Sequence, residues 1–388
     1  MKEFNAILNE YGIFGYESIS KAILTSLVSK EPILLVGEHG TGKTLLAEKL
    51  SIALGVSVAE DKKEFNAYDA SKSLFEDVIG FPNPNALKNG KLEYIESEMT
   101  IWNKKFILID EISRANPSMQ NKWLEIIRSR RVMGVNIPNL QYIFSAMNPI
   151  GYLGVNPLDL ALADRFSLIV SVPSSFGRDD LSKIINSNKS CGESSSKELF
   201  DLISAIDKIS KNLKPSNNNI IDNFIMDFSY KLEELGLMFS PRRAAMLKKN
   251  LSIFFAIDLY KGSINPKEIV TNLIMAAKYS WNYLVADEEH YFDKLVEAVN
   301  FATKEIKNAS VKTEKIFKQY QQKSLNKNLR YIKTQPTPDP ITDDDDDDGD
   351  LVTMAKLVGS GLELFTVGFY EMVIKGNSNW KSKLKINN

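Results

Sequence analysis

A parallel α/β domain followed by an all-helical one is the fold class that three observations predict for this 388-residue chain. Short apolar runs bounded by Gly, Pro or Asn recur before residue 175, as expected of strands buried on both faces of a parallel sheet. Segments with apolar residues at helical spacing alternate with them. From about residue 176 the strand-like runs stop and only helical periodicity remains.

Taken in order, Ile19, Ala22, Ile23 and Leu27 mark an amphipathic helix. PILLVG (32–37) is the first buried strand. After GEHGTGKT (37–44), the segment KTLLAEKLSIALG returns to helical periodicity and stops on Gly55. EFNAYDA (64–70) is a less apolar strand. Residues 72–104, with GFPNPN and KLEYIESEMTIW, read as an insertion of mixed structure. FILID (106–110) is a strand. Asn116 then caps, and Pro117 opens, a helix carrying Trp123, Leu124 and Ile127. QYIFSAM (141–147) and SLIVSV (167–172) complete a parallel five-stranded sheet. Between them NPLDLALADRF reads as a short helix capped by Asn156 and opened by Pro157.

The α/β domain is thus expected over 1–175 and the helical one over 176–308, with helices at 196–212, 220–236, 241–260, 266–284 and 286–308. Residues 309–350 read as a linker, rich first in lysine and then, through TQPTPDPITDDDDDDGD, in proline and aspartate. The stretch 351–388 is apolar and partly helical in pattern.

Composition narrows the function classes. The net charge of -1 supplies no global field toward nucleic acid or an anionic membrane. A single cysteine, Cys191, rules out a disulfide within the chain and argues against a thiolate zinc cluster. The two histidines, His39 and His290, lie far apart in sequence, which gives little support to a histidine metal site or a Ser-His-Asp triad. MKEFNAILNEYG carries two acidic residues and does not read as a secretory leader. No apolar run reaches the roughly 20 residues of a membrane span, so a cytoplasmic protein is expected.

The chemistry concentrates in GEHGTGKT. Gly37, Gly42, Lys43 and Thr44 fit the G-x-x-x-x-G-K-[ST] pattern of a phosphate-binding loop, with Glu38, His39, Gly40 and Thr41 between them and Leu45 next in line. Glycines let backbone N–H groups face an anion with no Cβ in the way. The following helix directs its N-terminus at the phosphates. Lys43 then reaches the β and γ phosphates and the Thr44 hydroxyl a Mg²⁺ ion. The strand before and the helix after are the context that such a loop requires. Asp110 and Glu111 end the strand FILIDE, where open α/β sheets build their sites. Asp110 is placed to hold the Mg²⁺ shell, and Glu111 to orient or deprotonate an attacking water.

GEHGTGKT, LIDEISRANPSMQNKWLEII, FSAMNP, LALADRF and FSPRRA, in this order, resemble the MoxR-type branch of AAA+ ATPases, related to dynein and midasin modules. The resemblance spans about residues 10–300. It implies an AAA+ phosphate-loop NTPase with a helical lid, using ATP and Mg²⁺. It also implies a ring of six subunits that remodels or assembles a client protein, often with a partner carrying a von Willebrand factor A domain. By the same resemblance Asn148 is the first sensor, Arg165 an arginine finger and Arg242 the second sensor, with Arg243 the alternative. Asn148 also reads as an Asn-Pro turn residue, and Arg165 as a cation favoured at the end of its helix. Arg242 sits in the first turn of a helix capped by Ser240 and opened by Pro241, where a cation opposes the dipole and a bound phosphate would supply negative charge. Residues 72–104 resemble the branch's helix-two insert and RVMGVNIPNLQ (131–141) the hairpin before the first sensor. Ala163 stands where leucine is more usual.

The guanine signature N-K-x-D has only NKWLE as a counterpart, inside a helix, which leaves ATP as the expected nucleotide. A calcium loop starting at Asp344 would place Ala355 at its twelfth position instead of a bidentate glutamate, so the aspartate run reads as solvated linker. Phe81 reads either as a substrate-gripping loop residue or as local packing. Two rival functions remain open: the NTPase motor of a restriction or other nucleic-acid-processing complex, and a nucleotide-gated scaffold with little turnover.

Overall fold

The computed structural model describes residues 2–56, 64–149, 158–174, 177–187, 194–262, 266–280 and 291–308. Cys191, His290 and the linker and terminal stretch from 309 lie outside them. The five expected strands form one sheet: β1 (Ile33–Val36), β2 (Phe65–Asp69), β3 (Phe106–Asp110), β6 (Tyr142–Met147) and β7 (Leu168–Ser171). Two further strands, β4 (Arg131–Val132) and β5 (Val135–Asn136), pair antiparallel outside it. The main sheet runs β2-β3-β6-β1-β7 and every pairing is parallel.

The pleat sorts the strand side chains into two cores. Ile33, Leu35, Phe106, Leu108, Phe144 and Val170 face one, and Leu34, Val36, Ile107, Ile109, Ile143 and Ile169 the other. Both faces are buried, which is why these strands read as continuous apolar runs rather than alternating ones. The second core is filled by the helix Pro117–Ser129 through Met119, Trp123, Ile126 and Ile127. The first continues without a break into the helices Lys197–Lys211, Pro215–Glu234, Pro241–Tyr260, Pro266–Tyr279 and Tyr291–Asn308.

Side-chain caps begin several of the helices. Asn116 Oδ1 accepts from Met119 N at 2.9 Å with Pro117 at the first turn, and Ser240 Oγ accepts from Arg243 N at 3.2 Å with Pro241 following. One cap differs from expectation. Asn156 and Pro157 lie outside the described residues, and the short helix is Leu160–Ala163, with Asp159 Oδ1 accepting from Leu162 N at 3.1 Å. The helix expected from residue 220 begins at Pro215, because the polar run SNNN hid a turn that proline opens. The helix expected over 266–284 is described over Pro266–Tyr279, and the last one from Tyr291. Two helices carried no strong signal. Among its described side chains Lys2–Glu10 buries Phe4, Ile7 and Leu8, and Arg178–Asn186 buries none.

The expected insert holds short helices at Phe75–Ile79 and Pro84–Lys88 and a Pro82–Tyr94 bridge. Its entry turns at Gly80, whose φ is +82° and where an added Cβ would meet Ile95 O at 2.1 Å. Gly80→Ala combines a left-handed backbone with a backbone clash and should cost about 2–4 kcal/mol. Urea unfolding checks this: the midpoint should fall, and an unchanged midpoint would contradict this packing. The expected hairpin is β4–β5, turning through Met133 and Gly134, both at positive φ as a two-residue hairpin turn requires.

Polar contacts fasten the helical region to the sheet region. Lys21 Nζ donates to Asp258 Oδ2 at 2.8 Å and to Asn272 Oδ1 at 2.6 Å, and Asn272 Nδ2 donates to the same Asp258 oxygen at 2.9 Å. Burial pushes the Lys21 ammonium down while Asp258 pulls it back up. Asn250 exchanges hydrogen bonds with Ser167, at 3.0 and 3.1 Å, tying the helix Pro241–Tyr260 to the start of β7. Among the described residues no helix is long and apolar enough to cross a membrane.

Candidate nucleotide site

The parallel sheet points β1, β3 and β6 the same way, so their C-terminal ends meet at one edge. Gly37 follows β1, Asp110 and Glu111 close β3, and Asn148 follows β6. Gly37 is required by close approach, since a Cβ there would meet Val172 Cβ at 2.8 Å. Gly42 takes φ +80° as the N-cap of the helix Lys43–Ala53, with the sharp turn that a phosphate loop needs.

Lys43 is buried, and its Nζ donates to Gly37 O at 2.7 Å and Glu38 O at 2.8 Å, with Asn148 Oδ1 at 3.5 Å. Desolvation lowers its pKa, opposed by Asp110, Glu111 and Glu38. Thr44 Oγ1 donates to Asp110 Oδ2 at 2.9 Å. A hydroxyl and a carboxylate side by side at a helix N-terminus suit a hard cation such as Mg²⁺. Among the described residues no group of three or more His, Cys, Asp or Glu could hold a metal ion. Two protein oxygens, Thr44 Oγ1 and Asp110 Oδ2, suit a Mg²⁺ that would take its other ligands from phosphate and water. His39, Gly40 and Leu45 face solvent around the loop, and Thr41 is tucked in, its Oγ1 donating to Glu38 O at 2.8 Å.

Glu111 adopts φ +53°, a left-handed conformation uncommon for a non-glycine residue. Its backbone N–H donates to Asp110 Oδ1 at 2.9 Å. Its carboxylate accepts from Asn148 Nδ2 at 3.1 Å and lies 3.3 Å from Arg114 Nε. Asn148 is buried, and its Nδ2 also lies 3.0 Å from His39 Nε2, a hydrogen bond when that ring nitrogen carries no proton. The turn reading of Asn148 is thus joined by side-chain contacts to Lys43, Glu111 and His39 together.

The three candidate arginines gather elsewhere, around Asp164. Arg242 Nη1 donates to Asp164 Oδ2 at 3.0 Å, and Arg165 Nη1 lies 3.5 Å from the same oxygen. Arg243 Nε is 3.6 Å from Asp164 Oδ1, and its Nη1 donates to Phe166 O at 2.6 Å. Arg243 is almost fully buried, which lowers its pKa to about 10. Arg242 is 41% exposed at its side chain. Asp164 supplies the negative charge that a cation in the first turn of Pro241–Tyr260 calls for, a role the sequence had left to a phosphate alone.

Two neighbours of the site escaped the sequence reading. Tyr16 donates its hydroxyl to Thr41 O, bracing the loop from 25 residues upstream, and no local pattern announces it. Asp164 stands beside Arg165 in the ADRF stretch, and only its contacts reveal it.

Residues 32–166 match the family model described as the AAA domain of the dynein-related subfamily. Among solved structures, a crystal structure titled as a "putative ATPase" from Cytophaga hutchinsonii is similar at 20% identity, with a TM-score of 0.52, covering 69% of this chain and 83% of that one. At that identity the likeness bears on the fold, which is the AAA+ α/β fold with a helical region after it. No curated protein matches the chain.

Proposed function

We propose, from the match of residues 32–166 to the AAA domain of the dynein-related subfamily, that the protein is a MoxR-type ring ATPase which uses ATP to remodel or assemble a partner protein. The observation that carries this reading is the convergence of Lys43, Thr44, Asp110, Glu111 and Asn148 at one sheet edge.

In this reading the loop 37–44 cradles the phosphates with backbone N–H groups, and Lys43 turns from its loop carbonyls to the γ phosphate. Thr44 and Asp110 would hold Mg²⁺, which supplies charge neutralisation at the phosphates. Glu111 accepts the proton of the attacking water, and Asn148 holds that carboxylate in place and lies within reach of Lys43. Arg165, in the turn after its short helix, serves the site of the next subunit, as arginine fingers given in trans do. Head-to-tail contacts of this kind close into rings, and six subunits are what the resemblance implies. Arg242 answers to the subunit's own nucleotide, a choice over Arg243 supported by the burial of Arg243 against Phe166 O.

A protein client fits the insert. Leu74, Phe81, Ile95 and Met99 are each more than half exposed. Phe81, at 65%, does not support the local-packing reading of that residue. A partner with a von Willebrand factor A domain is proposed from the resemblance. Steady-state ATP turnover tests the enzyme and its finger together: the wild type should hydrolyse ATP, and Arg165→Ala should lose about 1,000-fold or more. Turnover retained by Arg165→Ala would sink the trans-finger assignment.

A further inference from the structure

We infer that Tyr16 is a positioning residue for nucleotide binding, whose hydroxyl holds the Thr41–Gly42 peptide so that the Gly42 N–H faces the phosphates. The inference rests on the reading of residues 37–44 as an ATP site. Tyr16 lies outside that loop, 25 residues before Thr41. Its ring is packed into the core shared by the sheet and the helical region, and its hydroxyl donates to Thr41 O. The same hydroxyl lies 3.2 Å from where a Cβ on Gly42 would stand. One side chain therefore touches both halves of a single peptide unit.

The direction of the N–H follows from the peptide plane. That peptide is trans, and in a trans peptide the C=O and the N–H point opposite ways. Tyr16 holds Thr41 O on the core side of the loop, so the Gly42 N–H is turned to the outer side. Among the described residues the N–H groups of Gly40, Gly42 and Lys43 meet no acceptor, as in a loop that offers them to an anion. A flipped peptide would instead set a carbonyl oxygen against a phosphate oxygen, and the two would repel. Gly42, at φ +80°, has the backbone freedom to make that flip at little cost. The Lys43 side chain does not prevent it, because its Nζ is engaged with Gly37 O and Glu38 O. The Tyr16 hydroxyl does.

The brace is itself firmly held. Tyr16 O accepts from Ile19 N at 3.1 Å. Two residues on, Ser18 O accepts from Tyr279 Oη at 3.2 Å, which ties this segment to the helix Pro266–Tyr279. Tyr16 is buried, and burial raises its pKa, so the phenol keeps the proton that it donates. Thr41 is buried too, with its Oγ1 on Glu38 O at 2.8 Å. A group locked by its own packing and hydrogen bonds can set the geometry of a softer neighbour, and the glycine-bearing loop is the softer of the two.

The test is Tyr16→Phe, which removes one oxygen and keeps the ring and its packing. KM for ATP should rise about tenfold while kcat changes by less than about twofold, because a lost loop hydrogen bond weakens phosphate binding and leaves Glu111 and Asn148 in place. Inorganic tripolyphosphate, displacing a fluorescent ATP analogue, should weaken by the same factor, since the loss lies at the phosphates and not at the base. Hydrogen exchange over residues 40–43 gives a readout that needs no turnover: ATP with Mg²⁺ should slow exchange there in the wild type, and slow it less in Tyr16→Phe. A hydroxyl that only stabilised the fold would lower the urea midpoint of Tyr16→Phe while KM and tripolyphosphate displacement stayed as in the wild type. That result would overturn the inference and leave the ATPase reading intact. Wild-type protein that neither binds nor hydrolyses ATP would instead remove the nucleotide-site reading on which the inference rests.

Discussion

Lys43→Ala is expected to abolish useful ATP binding, weakening it by at least about 100-fold. Lys43 is buried, and desolvation already works against its charge. In the folded chain that charge rests on Gly37 O, Glu38 O and the field of three carboxylates. A triphosphate would supply far stronger anionic partners and hold the side chain as ammonium. Losing one member of a buried charge pair costs about 2–5 kcal/mol, and about 3 kcal/mol is near 100-fold in affinity. Thermal unfolding with and without ATP and Mg²⁺ reads this directly. At 100 times its dissociation constant a ligand stabilises the native state by about 2.7 kcal/mol, so the wild type should shift upward and Lys43→Ala should not. Equal shifts in the two proteins would show that the nucleotide binds elsewhere.

Glu111→Gln should separate binding from chemistry. The amide has the shape of the carboxylate, and its oxygen can still accept from Asn148 Nδ2, which lies at 3.1 Å. It cannot take a proton from water. Removing a positioned general base costs about 100- to 10,000-fold in rate, while ATP affinity should stay within a few-fold of the wild type. Single-turnover hydrolysis beside a binding titration checks both halves. Wild-type turnover in Glu111→Gln would mean that another group activates the water. A large loss of affinity would mean that Glu111 serves the fold, for which its left-handed φ of +53° and its contact with Arg114 would then be the reason.

The parts of this picture legible in the sequence are those written locally. Four strands announced themselves because both faces of the sheet are buried, so PILLVG, FILID, QYIFSAM and SLIVSV carry no polar alternation. β2 sits at the sheet edge and is half-exposed along most of its length, which is why EFNAYDA looked less apolar. Asn116 and Ser240 were legible as caps because capping is a contact over three residues. The turn 37–42 after β1 and the Asp110–Glu111 strand end lie where the sequence put them, because each is written within one short segment.

Contacts between distant parts of the chain were not legible. The Asp164–Arg242 bond spans 78 residues, and the Lys21–Asp258 bond spans 237. Neither has a period or a composition that a window of residues could reveal. Arg242, in the first turn of its helix, calls for a negative charge, and the fold supplies Asp164. Arg178–Asn186 was missed because a helix that buries no side chain has no apolar face imposed on it by packing.

The claim that ties these residues together is a site completed across two subunits, and complementation of two inactive variants measures it. Lys43→Ala keeps its Arg165 and lacks a home site, while Arg165→Ala keeps its home site and lacks a finger. Once Lys43→Ala protein is shown to assemble, the two are mixed in equal amounts and ATP turnover is recorded. Random mixing in a ring makes about a quarter of the sites complete, so the mixture should recover activity that neither variant has alone. A mixture as inactive as its two components would contradict the account.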